Sequence, residues 1–239
     1  MKKVVISQPR YLPALNYLQR LKHADIFVFL DNVQIQRRGW ENRNKILLNG
    51  KERWLTIPIS SGSRCLIKNS VIAGSEWVEK HKRLLKQAYR KSPYFNEDLI
   101  EIYYDGIYEI LEKTNFNYRD VLIKLVLNAC KIFSFEPKIE LASKLVDDNI
   151  KGPTKLLEIC KRLKASIYVS GPNGKNYGLE ETFKGSGIIV KYHRFDYPIY
   201  KQFNSEKFVP WLSFFDPLFN LGLDKVKEII YSPWKLEDE

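Results

Sequence analysis

Three stretches of this chain concentrate side chains able to hold a polar ligand. The first is Ser7-Gln-Pro-Arg-Tyr-Leu-Pro13, which follows an apolar run and precedes a helical pattern; Gln8 and Tyr11 are its candidate contacts. The second is Ser170-Gly-Pro-Asn-Gly-Lys-Asn-Tyr177. Its two glycines can free backbone amides to cradle an anion, Lys175 adds charge, and Ser170, Gly171 and Tyr177 complete the candidate set; an ordinary turn rich in Gly and Asn is the alternative. The third runs from Asp31 to Asn44 and holds Gln34, Gln36, Arg37, Arg38, Asn42, Arg43 and Asn44 with one acid after Asp31. So many directional donors suit a phosphorylated or carboxylated ligand, although Arg43 and Asn44 could equally pin loop carbonyls. Within these stretches Asp31 is a candidate general base and Arg43 an oxyanion or phosphate contact; Asp216, further on, is a second candidate base or simply an early-turn helix acid.

Other chemistries find little support. The three histidines, His23, His81 and His193, have no metal-ligand spacing, and His23 falls at a helix end where a protonated ring would favour the dipole. Cys65, Cys130 and Cys160 are odd in number and unpaired in spacing, which predicts a reduced setting without a structural metal. Neither a Ser-His-Asp nor a Cys-His set can be nominated, neither Gly-x-Gly-x-x-Gly nor a Walker loop is present, and the cofactor stays open. The formal charge of +11 attracts phosphates, nucleotide sugars, RNA or anionic lipid without choosing among them. Aromatic residues crowd 191–203 and 208–222, fitting either a base- or sugar-stacking wall or a segment packed over a sheet.

The elements that must position these residues are legible from periodicity. Val4-Val-Ile6, residues 14–23 with Leu15, Leu18 and Leu21, and Ile26-Phe-Val-Phe-Leu30 read as strand, helix, strand, hence a parallel pair with a right-handed crossover. Asn49-Gly50 between two apolar runs predicts a hairpin. Helices are expected at 75–91, 96–113 and 117–133. A strand at 138–142, a helix at 152–163 and strands at 165–169 and 187–192 repeat the opening pattern. The expectation is one α/β domain over 1–239, with a mainly parallel, Rossmann-like sheet and a hairpin and helical insertion at about 45–135. The longest apolar stretches are about seven residues, against the roughly 20 that span a bilayer, and the apolar part of the N-terminus is too short for a signal peptide, so a cytoplasmic setting is expected.

Taken together, Gln8-Pro-x-Tyr-Leu-Pro13, Ala24-Asp25, Leu30-Asp-x-Val-Gln34, Asn42-Arg-Asn44, Trp54-Leu-Thr-Ile-Pro58, Ser170-Gly171, Tyr177 and Leu212-Ser-x-x-Asp216 with Phe219-Asn220 and Gly222 resemble the WbqC-like family over nearly the whole chain. The resemblance implies a gene setting of O-antigen and other surface polysaccharides, and an enzyme that transfers an aminoacyl, glycyl-type, or acyl group to an amino sugar or nucleotide sugar. The implied partner is a small phosphorylated ligand, either the nucleotide sugar or an activated donor such as an adenylate, a thioester or a charged tRNA. A non-catalytic protein that binds a nucleotide sugar or nucleic acid is the alternative. A fainter likeness links the opening stretch to nucleotidylyltransferases. Their His-x-Gly-His signature would fall at Ala14-Leu-Asn-Tyr17, where both histidines are absent, so Arg10, Tyr11, Tyr17 or Arg43 would have to make the phosphate contacts.

Overall fold

In the computed structural model, residues 1–36, 39–62, 64–203 and 205–237 are described. Arg37 and Arg38, part of the donor run above, lie outside the described residues.

The chain opens with β1 (Lys3–Ser7), α1 (Leu15–His23) and β2 (Ile26–Phe29), and β1 and β2 pair in parallel. Two further parallel strands, β6 (Ile167–Ser170) and β7 (Ile189–Arg194), extend the sheet beyond β1, while β5 (Ile139–Leu141) extends it beyond β2. A short antiparallel strand, β8 (Lys235–Glu237), finishes the order β5-β2-β1-β6-β7-β8. Because side chains alternate across a strand, the two faces of this sheet feed two cores. Val5, Phe27, Phe29, Ile167 and Val169 join the larger one with Leu15, Leu18 and Leu21 of α1. Val4, Ile6, Ile26, Val28 and Tyr168 join the smaller one with residues of α6 (Ala142–Leu145), α7 (Gly152–Arg162) and α8 (Leu179–Phe183). This is a mostly parallel α/β sheet covered on both faces, as the near-continuous apolar strands require.

Between β2 and β5 lies the insertion. It starts with a separate hairpin, β3 (Arg43–Leu48) and β4 (Lys51–Thr56), turned by Asn49 and Gly50 at φ 51° and 74°, the left-handed conformations that a two-residue hairpin loop needs. Four helices follow: α2 (Trp77–Tyr89), α3 (Glu97–Tyr104), α4 (Ile107–Lys113) and α5 (Tyr118–Ile132). The single helix expected over 96–113 is therefore two. Gly106 stands in the left-handed region at φ 70° and breaks the ladder between them. The C-terminal helices α9 (Phe215–Leu221) and α10 (Leu223–Tyr231) close the larger core, with α10 packed on α1. Among the described residues, no helix is long and apolar enough to cross a membrane, and no group of three or more His, Cys, Asp or Glu side chains is placed to hold a metal ion.

Candidate functional site

Chain order fixes where a ligand can enter. From β1 the chain builds outward through β2 to β5, then returns to the other side of β1 to lay down β6 and β7. The loops leaving the carboxyl ends of β1 and β6 thus diverge to opposite faces and leave a crevice between them. A cleft of about 770 Å³ occupies it, lined by Ser7, Gln8 and Arg10 after β1 and by Ser170, Gly171 and Tyr177 after β6. Leu30, Asn32 and Gln34 after β2 form its third wall.

The charge balance of this cleft is one-sided. Among the described residues, Arg10, Arg20, Lys151 and Lys155 line it against one acid, Asp148, and that carboxylate is bound to Lys68 at 2.6 Å, the contact that holds its pKa below the usual range. Arg20 projects from α1 and is only 5% exposed. Among the described residues no carboxylate pairs with it, and its buried Nε has no hydrogen-bond partner. Burial first, and then the charge of Arg10, pull its pKa down to about 10, so it is still a cation at neutral pH. Both guanidinium carbons, those of Arg10 and Arg20, lie 5.6 Å from the ring centroid of Tyr17, whose hydroxyl donates to the Gln8 carbonyl at 2.9 Å. Gly171 makes room for this arrangement. A Cβ there would sit 3.2 Å from Arg20 Nη1.

At the β2 side of the cleft, Lys155 is 3% exposed and donates to the Asn32 carbonyl at 2.7 Å; burial lowers its pKa. The Asn32 side-chain amide turns its Nδ2 toward the Val146 carbonyl, and its buried Oδ1 has no partner among the described residues. The cleft therefore offers cationic donors near β1 and β6 and a Lys–Asn pair near β2.

Of the residues nominated from sequence, Gln8, Gln34, Ser170, Gly171 and Tyr177 line the cleft. The others stand elsewhere. Lys175 is not part of the lining, and its ammonium lies 5.2 Å over the Tyr192 ring. Tyr11 is fully buried, its hydroxyl bonded to His81 Nδ1 at 2.8 Å and to the hydroxyl of Tyr104. Asn42 donates to the Ile57 carbonyl and Asn44 to that of Leu12, tying the hairpin to the first loop. Arg43 stacks on Trp54 at 4.1 Å. Asp31, Arg43 and Asp216 are not among the lining residues, and they are held by separate neighbourhoods.

Asp31 shows why. Its neighbours Leu30 and Asn32 face the cleft, while its own carboxylate is completely buried. It accepts from Ser143 N at 2.9 Å, from Ser143 Oγ at 2.6 Å and from Arg119 Nη1 at 3.3 Å, clamping the end of β2 to the start of α6. Removing an acceptor from three donors leaves them unsatisfied. Asp31→Ala is expected to lower stability by about 3 kcal/mol, read as a lower urea midpoint. Ligand affinity of the folded fraction should stay at wild-type level; a large affinity loss without destabilisation would contradict this framework role.

Sequence reasoning passed over Arg20, Lys155 and Asn32. Arg20 falls four residues after Asn16, another lining residue, and Lys155 four before the buried Ile159, so each cation sits on a helix face that tertiary packing buries.

Residues 8–228 match the family model described as "WbqC-like protein family". The uncharacterized protein Rv1507c of Mycobacterium tuberculosis (strain ATCC 25618 / H37Rv) is 31% identical over 230 residues, covering 94% of this chain and 96% of its own length. No solved structure gives a significant match.

Proposed function

The chain belongs to the WbqC-like protein family, and on that footing we propose that it is a group-transfer enzyme of surface-polysaccharide biosynthesis. It binds an amino sugar or nucleotide sugar in the switch-point cleft and receives an aminoacyl, glycyl-type, or acyl group onto the sugar amine. The observation that carries this reading is the cleft itself, large enough for a nucleotide sugar and lined by four cations against one acid that is already paired. In the transfer, the amine nitrogen forms a bond to the activated carbonyl carbon, the bond from that carbon to its carrier breaks, and the amine loses a proton. An adenylate, a thioester or a charged tRNA can supply such a carbonyl, and all three belong to the cytoplasm. In this scheme Asp31 supports the β2 side of the cleft, Asp216 holds the packing around Tyr89, Tyr200 and Gln202, and the binding groups are those of the lining.

A second reading is favoured by one observation: among the described residues that line the cleft, no nucleophile is paired with a base. A nucleotide-sugar binding protein without turnover would look the same. Calorimetric titration with UDP- and dTDP-amino sugars, followed by incubation with ATP and glycine, acyl-CoA or glycyl-tRNA and mass analysis of the sugar, separates the two. A nucleotide amino sugar that binds and gains the mass of the acyl group is the expected result. Binding without product for every donor would leave the binding-protein reading standing and remove the enzyme.

A further inference from the structure

The geometry points to a diphosphate subsite formed by Arg20 and Arg10 on the ring of Tyr17, against the bare backbone of Gly171. This assignment rests on the reading of the cleft as a site for a phosphorylated ligand and says where the phosphates go.

Arg20 is 5% exposed over the whole residue and its Nε is buried, and a charge with so little water is retained in folded proteins when a counter-charge or a full set of hydrogen bonds replaces that water. Arg20 has neither among the described residues. The Tyr17 face at 5.6 Å offsets a small part through its quadrupole, but the second guanidinium at the same distance adds repulsion. Arg10 has Glu41 within range of its charge; among the described residues no carboxylate acts on Arg20. The missing counter-charge must therefore come from a molecule that enters the cleft.

The chemistry of that molecule follows from the donors. Two planar forks present N–H groups in the spacing that phosphate and carboxylate oxygens accept in pairs. Arg10 forms no ion pair among the described residues either: its buried Nε and the buried Glu41 Oε2 both stand without a partner. A single carboxylate would therefore pair one guanidinium and leave the other, whereas a diphosphate carries enough charge for both. The position agrees. Arg10 follows β1, Gly171 follows β6, and the crevice between these two strand ends is where open α/β sheets seat phosphates. Gly171 matters because a side chain there would meet Arg20 Nη1 before a ligand could.

The test is isothermal titration calorimetry of the full chain with pyrophosphate, UDP, uridine and acetate, on wild type, Arg20→Gln, Arg20→Lys and Arg10→Gln. Wild type is expected to bind pyrophosphate and UDP and to ignore uridine and acetate at the same concentrations. Arg20→Gln should weaken both diphosphates about 10- to 100-fold, and Arg10→Gln about 10-fold. Arg20→Lys should recover only part of the loss, because an ammonium restores the charge without the fork. Apo Arg20→Gln should melt at or above wild type, since it removes an uncompensated buried charge. If it fails to fold, Arg10→Gln and Gly171→Ala, which crowds Nη1, carry the test. Unchanged UDP binding in Arg20→Gln and Arg10→Gln overturns the subsite while leaving a nucleotide-sugar enzyme intact. Acetate binding as tightly as pyrophosphate overturns the diphosphate assignment. If wild type binds no phosphorylated ligand, the subsite fails; acylation of a free amino sugar would then show that the transfer reading survives without it.

Discussion

Replacing Asp216 by Ala is expected to cost about 3–5 kcal/mol of stability, enough to remove a large share of what holds a domain folded. Its carboxylate is fully buried and accepts from Tyr200 Oη at 2.6 Å, Gln202 Nε2 at 2.9 Å and Tyr89 Oη at 3.2 Å. These donors come from different places. Tyr89 ends α2 and its hydroxyl also accepts from Leu47 N of the hairpin, while Tyr200 and Gln202 belong to the aromatic segment between β7 and α9. Truncation orphans all three at once inside a packed interior, where each unsatisfied donor costs about 1–3 kcal/mol. Burial raises the Asp216 pKa against the pull of its three hydrogen bonds. A folded-state pKa above the unfolded value means that this group's stabilising contribution is complete at low pH and declines as pH rises through the folded pKa. Asp216→Asn keeps one acceptor oxygen but turns an amide N–H₂ toward donors, so it should recover only part of the loss. Urea denaturation measures both. Should Asp216→Ala instead unfold like wild type and lose turnover alone, Asp216 would be a catalytic base and not a framework residue.

The same interior explains which parts of the molecule could be read in the sequence. The units β1-α1-β2 and α7-β6 were legible because their periodicity is local, and the hairpin because Asn49 and Gly50 both tolerate the left-handed turn. The Asp105-Gly106 break lay in view but was overridden by the apolar pattern on either side of it. Strand β8 was not legible: Lys235-Leu-Glu237 is short and polar, and it is a strand only because β7 offers it an edge. Of the lining of the candidate cleft, Gln8, Ser170, Gly171 and Tyr177 were legible because strand ends mark ligand crevices, and Gln34 because it falls in a run of directional donors. Their neighbours could not be sorted the same way. Tyr11 stands one residue from Arg10 and faces the core, and Asp31 stands one residue from Asn32 and faces Ser143. Arg20 is the reverse case, a residue type expected in solvent whose burial only tertiary packing reveals.

Acid should unfold this protein chiefly through its histidines. His81 is 4% exposed, its Nδ1 bonded to Tyr11 Oη and its ring 5.7 Å from that of Trp77; burial and then the charge of Lys80 push its pKa down to about 4. His193 is 2% exposed, with Nε2 2.7 Å from Gln19 Oε1 and its ring 6.0 Å from that of Trp234. The Gln19 amide nitrogen already donates to the carbonyls of Ile229 and Ser232, so Oε1 is its acceptor and His193 Nε2 must carry the proton. Burial, followed by the charges of Arg20 and His23, brings the His193 pKa to about 3. His23, at a helix end where a protonated ring would favour the dipole, is itself shifted downward by burial, stacked on Trp234. Each folded pKa lies below the unfolded value near 6.5, so the neutral rings stabilise the fold fully above about pH 6.5, and that contribution is lost as pH falls toward the folded values. Between pH 6 and 4 the unfolded chain binds up to two more protons at His81 and His193 alone, a slope approaching about 2.7 kcal/mol per pH unit. Urea midpoints across pH 7.5 to 4.5 should fall accordingly, and His81→Gln or His193→Gln should each remove about half of the slope; a flat profile would refute the assignment. Because Arg20 repels a proton from His193, a diphosphate that neutralises Arg20 should make the acid limb shallower in wild type and leave it unchanged in Arg20→Gln.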